Sequence, residues 1–195
     1  MTMSRRVTVG AAIAGGAAIA LTAWGAARLI EHLVAPAPAP SSAPVAATAA
    51  VSVPHIIATL YYATRDGETL AAVKREVPLA EGVRAQGRQI LETQLEAAPA
   101  PYVSTTPTGT KVRAFYVTDQ GDAFVDMSAD VSTGHPGGST AERLTVYAIV
   151  KAITTNLSSV HRVQILIDGK EVDTLAGHVD LRRPFERDTS LVSPK

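Results

Sequence analysis

The stretch Pro136 to Leu157 (PGGSTAERLTVYAIVKAITTNL) constrains the fold more than any other part of the chain. Val146, Ile149, Val150, Ile153 and Leu157 recur at i, i+3, i+4, i+7 and i+11, which is one face of an α-helix. Ser139 stands three residues before Glu142, the spacing of a capping box. In that motif the serine hydroxyl accepts from the Glu142 N–H, and the carboxylate reaches back to the Ser139 N–H. Gly137 and Gly138 let the chain turn sharply into the helix. This pattern predicts cap roles for Ser139 and Glu142, and a loss of about 1 kcal/mol on Ser139→Ala. A helix with such a stripe needs strands to cover.

The segments on either side supply them. His55 to Ala63 (HIIATLYYA) reads as a strand, Arg65-Asp66-Gly67 as a turn, and Glu68 to Glu76 as the returning strand. A helix is expected from about Ala80 to Ala97, with Val83, Ile90, Leu91 and Leu95 on one stripe, weakened by Gly82 and Gly87 and ended by Pro99 and Pro101. After a loop over 98–109, Lys111 to Thr118 and Asp122 to Ser128 form a second hairpin. In its second strand Phe124 falls on the polar side of the alternation, so the buried face is open. A loop over 129–138 leads to the central helix. His161 to Ile167, the turn Asp168-Gly169 and a short strand Lys170 to Leu175 follow. The order ββαββαββ predicts an α+β two-layer sandwich, a mostly antiparallel sheet of hairpins with two helices on one face.

This domain is expected over 54–186, with a loose tail over 187–195. Ahead of it lie two different segments. Residues 7–27 are 21 residues without a charge, enough to span a bilayer, with Arg5 and Arg6 before them and Trp24 near the far end. An uncleaved signal anchor over 1–34 is the leading reading. A cleaved signal peptide, with Ser4-Arg5-Arg6 resembling a twin-arginine start, and a buried helix are the alternatives. The first two place the domain outside the cytoplasm. Residues 35–53 (APAPAPSSAPVAATAAVSV) are an Ala/Pro-rich linker that favours extended polyproline II and acts as a spacer.

Charge and composition exclude several function classes. Net charge is zero, with +2 on the first 53 residues and −2 on the rest, and no basic block marks a nucleic-acid surface. The chain has no cysteine, which removes disulfides and thiolate chemistry.

Five segments in order carry a resemblance. They are Pro107-x-Gly109-Thr110-Lys111, Val125-Asp126-Met127-Ser128, Gly138-Ser139-x-x-Glu142-Arg143-Leu144 with Ile149-Val150, Val163 to Gly169 (VQILIDG), and Gly177-His178-Val179-Asp180-Leu181. Over about 54–185 the chain resembles the GerMN domain, the sporulation and spore-germination domain of bacterial envelope proteins. The resemblance implies an exported or membrane-anchored protein with a compact fold like the ring-building motifs of sporulation assemblies. It implies no established catalytic site.

Few residues offer chemistry. His178 and Asp180, with Asp126 and Asp130, could form a metal or acid/base cluster, but no HExxH-type spacing accompanies them. The expected role of His178 and Asp180 is to fix the turn after the last strand by hydrogen-bonding backbone groups. Gly134-His135-Pro136-Gly137-Gly138 before a helix lacks the lysine of a phosphate loop. Ser139 lacks a nucleophile-elbow context. His161 reads as a surface or packing residue, and Asp119, Asp122 and Asp126 as local turn acceptors.

No catalytic, cofactor or metal residue is therefore assigned. The first expectation is a non-enzymatic, membrane-tethered envelope module that binds an envelope protein, itself or peptidoglycan. The competing one is a cell-wall hydrolase, or an accessory to one, using His178 with a nearby carboxylate. A small-ligand binder would need a deep apolar pocket.

Overall fold

The computed structural model describes residues 54–188 and 190–192. The anchor over 7–27 and the linker over 35–53 lie outside the described residues. Among the described residues no helix is long and apolar enough to cross a membrane.

Strands β1 (His55–Ala63) and β2 (Leu70–Pro78) form an antiparallel two-stranded sheet. The return strand starts two residues later than the sequence suggested, because Thr64 organises a wider turn. Its hydroxyl donates to Asp66 at 2.6 Å, and its N–H donates to Thr69 O at 2.9 Å. Helix α1 (Gly82–Gln94) follows, shorter at both ends than expected. Gly87 is there for packing. A Cβ on it would lie 2.1 Å from Phe115 Cε1, so only glycine lets α1 approach the next strand this closely.

Strands β3 (Val112–Val117) and β4 (Asp122–Met127) are the second hairpin. Ala123, Val125 and Met127 are fully buried and Phe124 is only half-buried, which settles the face that alternation left open. The loop after β4 contains a single turn of helix, α2 (Asp130–Thr133), and then α3 (Ser139–Asn156) begins. All five stripe residues are buried, four within α3 and Leu157 at its C-cap. So are Glu142, Thr145, Lys151 and Thr154, which means the helix is enclosed on more than one side. It packs on β1 and on β5, while α1 packs on β3 and on α3.

Strand β5 (Arg162–Ile167) pairs in parallel with β4, with α3 as the crossover that a parallel pair requires. The α+β class and its two long helices agree with the sequence reading. The sheet of hairpins divides in two: β1-β2 stands apart, and β3-β4-β5-β6 has a parallel pair at its centre.

The last strand is not where the sequence placed it. Asp168 and Gly169 do form a tight turn with positive φ at both positions, 51° and 75°. Ile167 and Lys170 then make one bridge and the hairpin stops. Lys170–Leu175 is no strand: Val172 and Leu175 pack into the core, and the backbone beyond them is held by the Glu142 side chain of α3. The place beside β5 is taken by β6 (Phe185–Glu186). Phe185 is anchored there edge-on to Tyr147, with ring centroids 5.8 Å apart. The tail, expected to be loose over 187–195, is docked at Asp188 and Leu191 among the described residues. Leu191 is buried, its carbonyl accepts from Leu70 N–H at 2.9 Å, and Asp188 O accepts from Lys151 Nζ at 2.6 Å.

Candidate functional site

Glu142 is the centre of the most concentrated polar arrangement in the domain. Its carboxylate does not cap α3. Gly138, at φ 90°, is the N-cap, Ser139 is exposed, and no side-chain hydrogen bond closes that end. The capping-box expectation is therefore corrected. One turn into the helix, Glu142 faces the core and is 0% exposed. A buried carboxylate needs donors, and the segment after Leu175 supplies them. Oε2 accepts from the backbone N–H groups of Ala176, His178 and Val179 at 3.1, 3.1 and 2.9 Å. Oε1 meets His178 Nδ1 at 2.7 Å.

Burial alone would raise the Glu142 pKa. The hydrogen bonds from Val179, His178 and Ala176 outweigh it and bring the carboxyl down to about 2. The group is an ionised clamp that staples the 176–179 loop onto α3. His178 was expected to hold the turn through the backbone, and it holds the clamp instead. Its side chain remains 51% exposed.

The other candidates do not join this pair. Asp180 is bound by Arg182, at 2.9 Å from Nε and 2.7 Å from Nη2, and those hydrogen bonds hold its carboxyl well below the usual range. Asp126 accepts from Gly169 N–H at 2.7 Å and from Arg113 Nε at 3.2 Å, and Arg113 also bridges to Asp168 at 2.9 Å. Asp130 accepts from the Ser128 hydroxyl at 2.8 Å. Asp122 forms a two-pronged pair with Arg162, at 2.7 and 2.9 Å. Among the described residues no group of three or more His, Asp or Glu side chains is arranged to hold a metal ion.

His135 and His161 are structural too. His135 Nδ1 accepts from Gly137 N–H and Nε2 meets the Thr145 hydroxyl, both at 3.0 Å. Burial lowers its pKa, because the charged form is disfavoured there, and Glu142 opposes this in part. His161 packs its ring against Gly121, where a Cβ would come within 2.7 Å of Cδ2.

Two open clefts lie away from the clamp. One, of about 720 Å³, is lined by Gln120, Thr154, Ser158, His161, Arg162 and Arg187. The other, of about 580 Å³, lies between α1 and β3 beside Arg84 and Tyr116. Neither contains His178, Asp180 or Asp126, and both are shallow.

Sequence reasoning missed two further polar roles, those of Gln94 and Asn156, which hydrogen-bond the backbone of β1. A polar residue at the end of a helix gives no sign of the distant strand it will meet.

The domain is of the mixed α+β class, with a parallel β4-β5 pair at the centre of its larger sheet. A family model described as "Germane: Sporulation and spore germination" matches residues 59–173, more than half of the chain, and the chain belongs to that family. The fold is similar to the first GerMN domain of the sporulation protein GerM from Bacillus subtilis. The TM-score is 0.51 at 21% identity, over 68% of this chain and 96% of that one. It is also similar to the tandem GerMN domains of GerM, with a TM-score of 0.51 at 18% identity. That alignment covers 70% of this chain and 46% of the tandem chain. At these identities the likeness is one of fold. No curated protein matches the chain.

Proposed function

We infer that the chain is a non-enzymatic envelope module of the sporulation and germination type, acting outside the cytoplasm by binding protein partners or itself. The segment over 7–27 is its anchor and the linker over 35–53 its spacer. The observation that carries this reading is the use to which the domain puts its strongest candidate for chemistry. Both oxygens of Glu142 are committed to one loop, and His178 is spent on holding that carboxylate.

One observation favours the competing hydrolase. His178 sits with Nδ1 on a buried carboxylate and its side chain half-exposed, the orientation that a general base requires. Against it stands that neither of the two large clefts lies at His178, and that among the described residues no second carboxylate pairs with it. Labelled peptidoglycan incubated with the full chain decides between them. The expected result is no soluble label from the full chain or from His178→Ala. Label that is released by the full chain and lost in a His178→Ala variant of unchanged melting temperature would overturn the reading. The envelope location is checked by protease accessibility in intact spheroplasts. Degradation of the domain is expected, and full protection would contradict an extracytoplasmic position.

A further inference from the structure

Unpaired backbone at a sheet edge is a site for adding a strand, and this fold treats its edges unequally. The outer edge of β1 is closed from within. Asn156 donates to Thr59 O at 2.8 Å and accepts from Thr59 N–H at 2.9 Å. Gln94 does the same for Tyr61 at 2.6 and 2.9 Å, and Val103 exchanges both bonds with Ala63 at 2.9 Å. On β3, Arg88 donates to the carbonyls of Val112 and Arg113 at 3.2 Å.

Among the described residues the edge of β2 is open beyond Leu70, where the tail meets it through a parallel bridge from Val192. In an antiparallel pair, alternate residues turn both backbone groups away from the partner strand. Leu70 is one of these, since its N–H donates outward to Leu191 O. Ala72, Lys74 and Glu76 are the next three outward residues. All are exposed, and their N–H and C=O groups have no partner among the described residues.

We propose that β2 pairs antiparallel with β2 of a second copy of this chain, across a two-fold axis at Arg75. The charges select both the occupant and the register. Centred on Arg75, Lys74 of each copy stands opposite Glu76 of the other, so one symmetric contact contains two opposite-charge pairs. The two neighbouring registers that also set outward groups against outward groups are centred on Lys74 and on Glu76, and they oppose Lys74 to Lys74 or Glu76 to Glu76. Leu70, already bonded to Leu191, and Pro78, which has no N–H, bound the ladder at its two ends. Arg75 meets its counterpart on the other face, and its charge is already countered by Glu96 at 3.0 Å. The product is a continuous four-stranded β1-β2-β2-β1 sheet. This proposal rests on the reading of the chain as a protein-binding module, and names the partner and the surface.

The absence of cysteine makes the test clean. Two differently tagged full chains, one carrying Lys74→Cys and the other Glu76→Cys, are mixed in detergent micelles and oxidised. The proposed register brings the two thiols within disulfide reach. It leaves Lys74→Cys paired with itself on a diagonal of about 7 Å or more, too long for the bond. Mixed disulfide dimers are expected to exceed like-with-like dimers about tenfold. Lys74→Glu and Glu76→Lys should each weaken self-association about tenfold, and the double exchange should restore it. Equal yields of all dimers, no dimer, or single reversals without effect would overturn the proposal. So would edge amides that resist hydrogen exchange without any cross-link, since the occupant would then be another segment of the same chain. A chain that captures an envelope protein yet gives no mixed disulfide would overturn the self-pairing and leave the wider function standing.

Discussion

At the scale of single residues, Glu142 bears most weight. An ionised carboxylate enclosed by protein persists only while its donors stay in place. Glu142→Gln keeps the shape but replaces one acceptor oxygen with a donor, which then faces backbone N–H groups or the His178 ring. The expected loss is on the order of 3 kcal/mol or more, read as a fall in urea midpoint at constant slope. A change under about 0.5 kcal/mol would remove the clamp from the account. His178→Ala deletes only one of the four donors and leaves the three backbone bonds, so it should cost less than Glu142→Gln. Ser139→Ala now carries the opposite expectation from the one the sequence suggested. An exposed serine with no cap hydrogen bond can be lost with a change within about 0.5 kcal/mol, measured in the same titration.

At the scale of elements, each helix is placed by a contact that no periodicity reveals. Gly87 reads in the sequence as a weak point in α1, and in the fold it is the notch that receives Phe115. Gly87→Ala improves intrinsic helix propensity and still should destabilise by roughly 1–3 kcal/mol, because the added methyl overpacks against the ring. A paired Phe115→Leu should recover part of that loss, and thermal melts of both variants check it. The elements themselves were largely legible, since a stripe such as Val146 to Leu157 and the strand HIIATLYYA are local patterns that burial enforces. What was not legible depends on distant partners. Ser139 and Glu142 had the spacing of a cap, but spacing cannot tell a carboxylate that turns back on its own helix from one that faces the 176–179 loop. Lys170–Leu175 followed a true Asp-Gly turn, and its failure as a strand depends on β6 and on Glu142, neither of which lies beside it in sequence. The same reason hid Asn156 and Gln94.

At the scale of the whole molecule, these buried polar groups give the domain a characteristic response to acid. The sign is that of an ion-paired carboxylate, because both groups have a folded pKa below the unfolded one. His135 has its folded pKa below the ordinary 6.5, so the unfolded chain takes up its proton first. Its contribution is whole above that value and is lost as pH falls through the folded pKa. Glu142 is held at about 2 against an ordinary 4.5. Its contribution, on the order of 3 kcal/mol, is whole above 4.5 and drains away between there and about 2. Stability should therefore fall in two steps on acidification, a small one starting below about pH 6.5 and a larger one below about pH 4.5. His135→Gln, which keeps an amide N–H toward Thr145, should remove the first step and leave the second. Glu142→Gln should flatten the second while the first remains. Urea midpoints from pH 7.5 to 3 on the three chains resolve the two contributions. A single titration unaffected by either substitution would mean that the acid sensitivity lies elsewhere than in the clamp that joins α3 to the last loop.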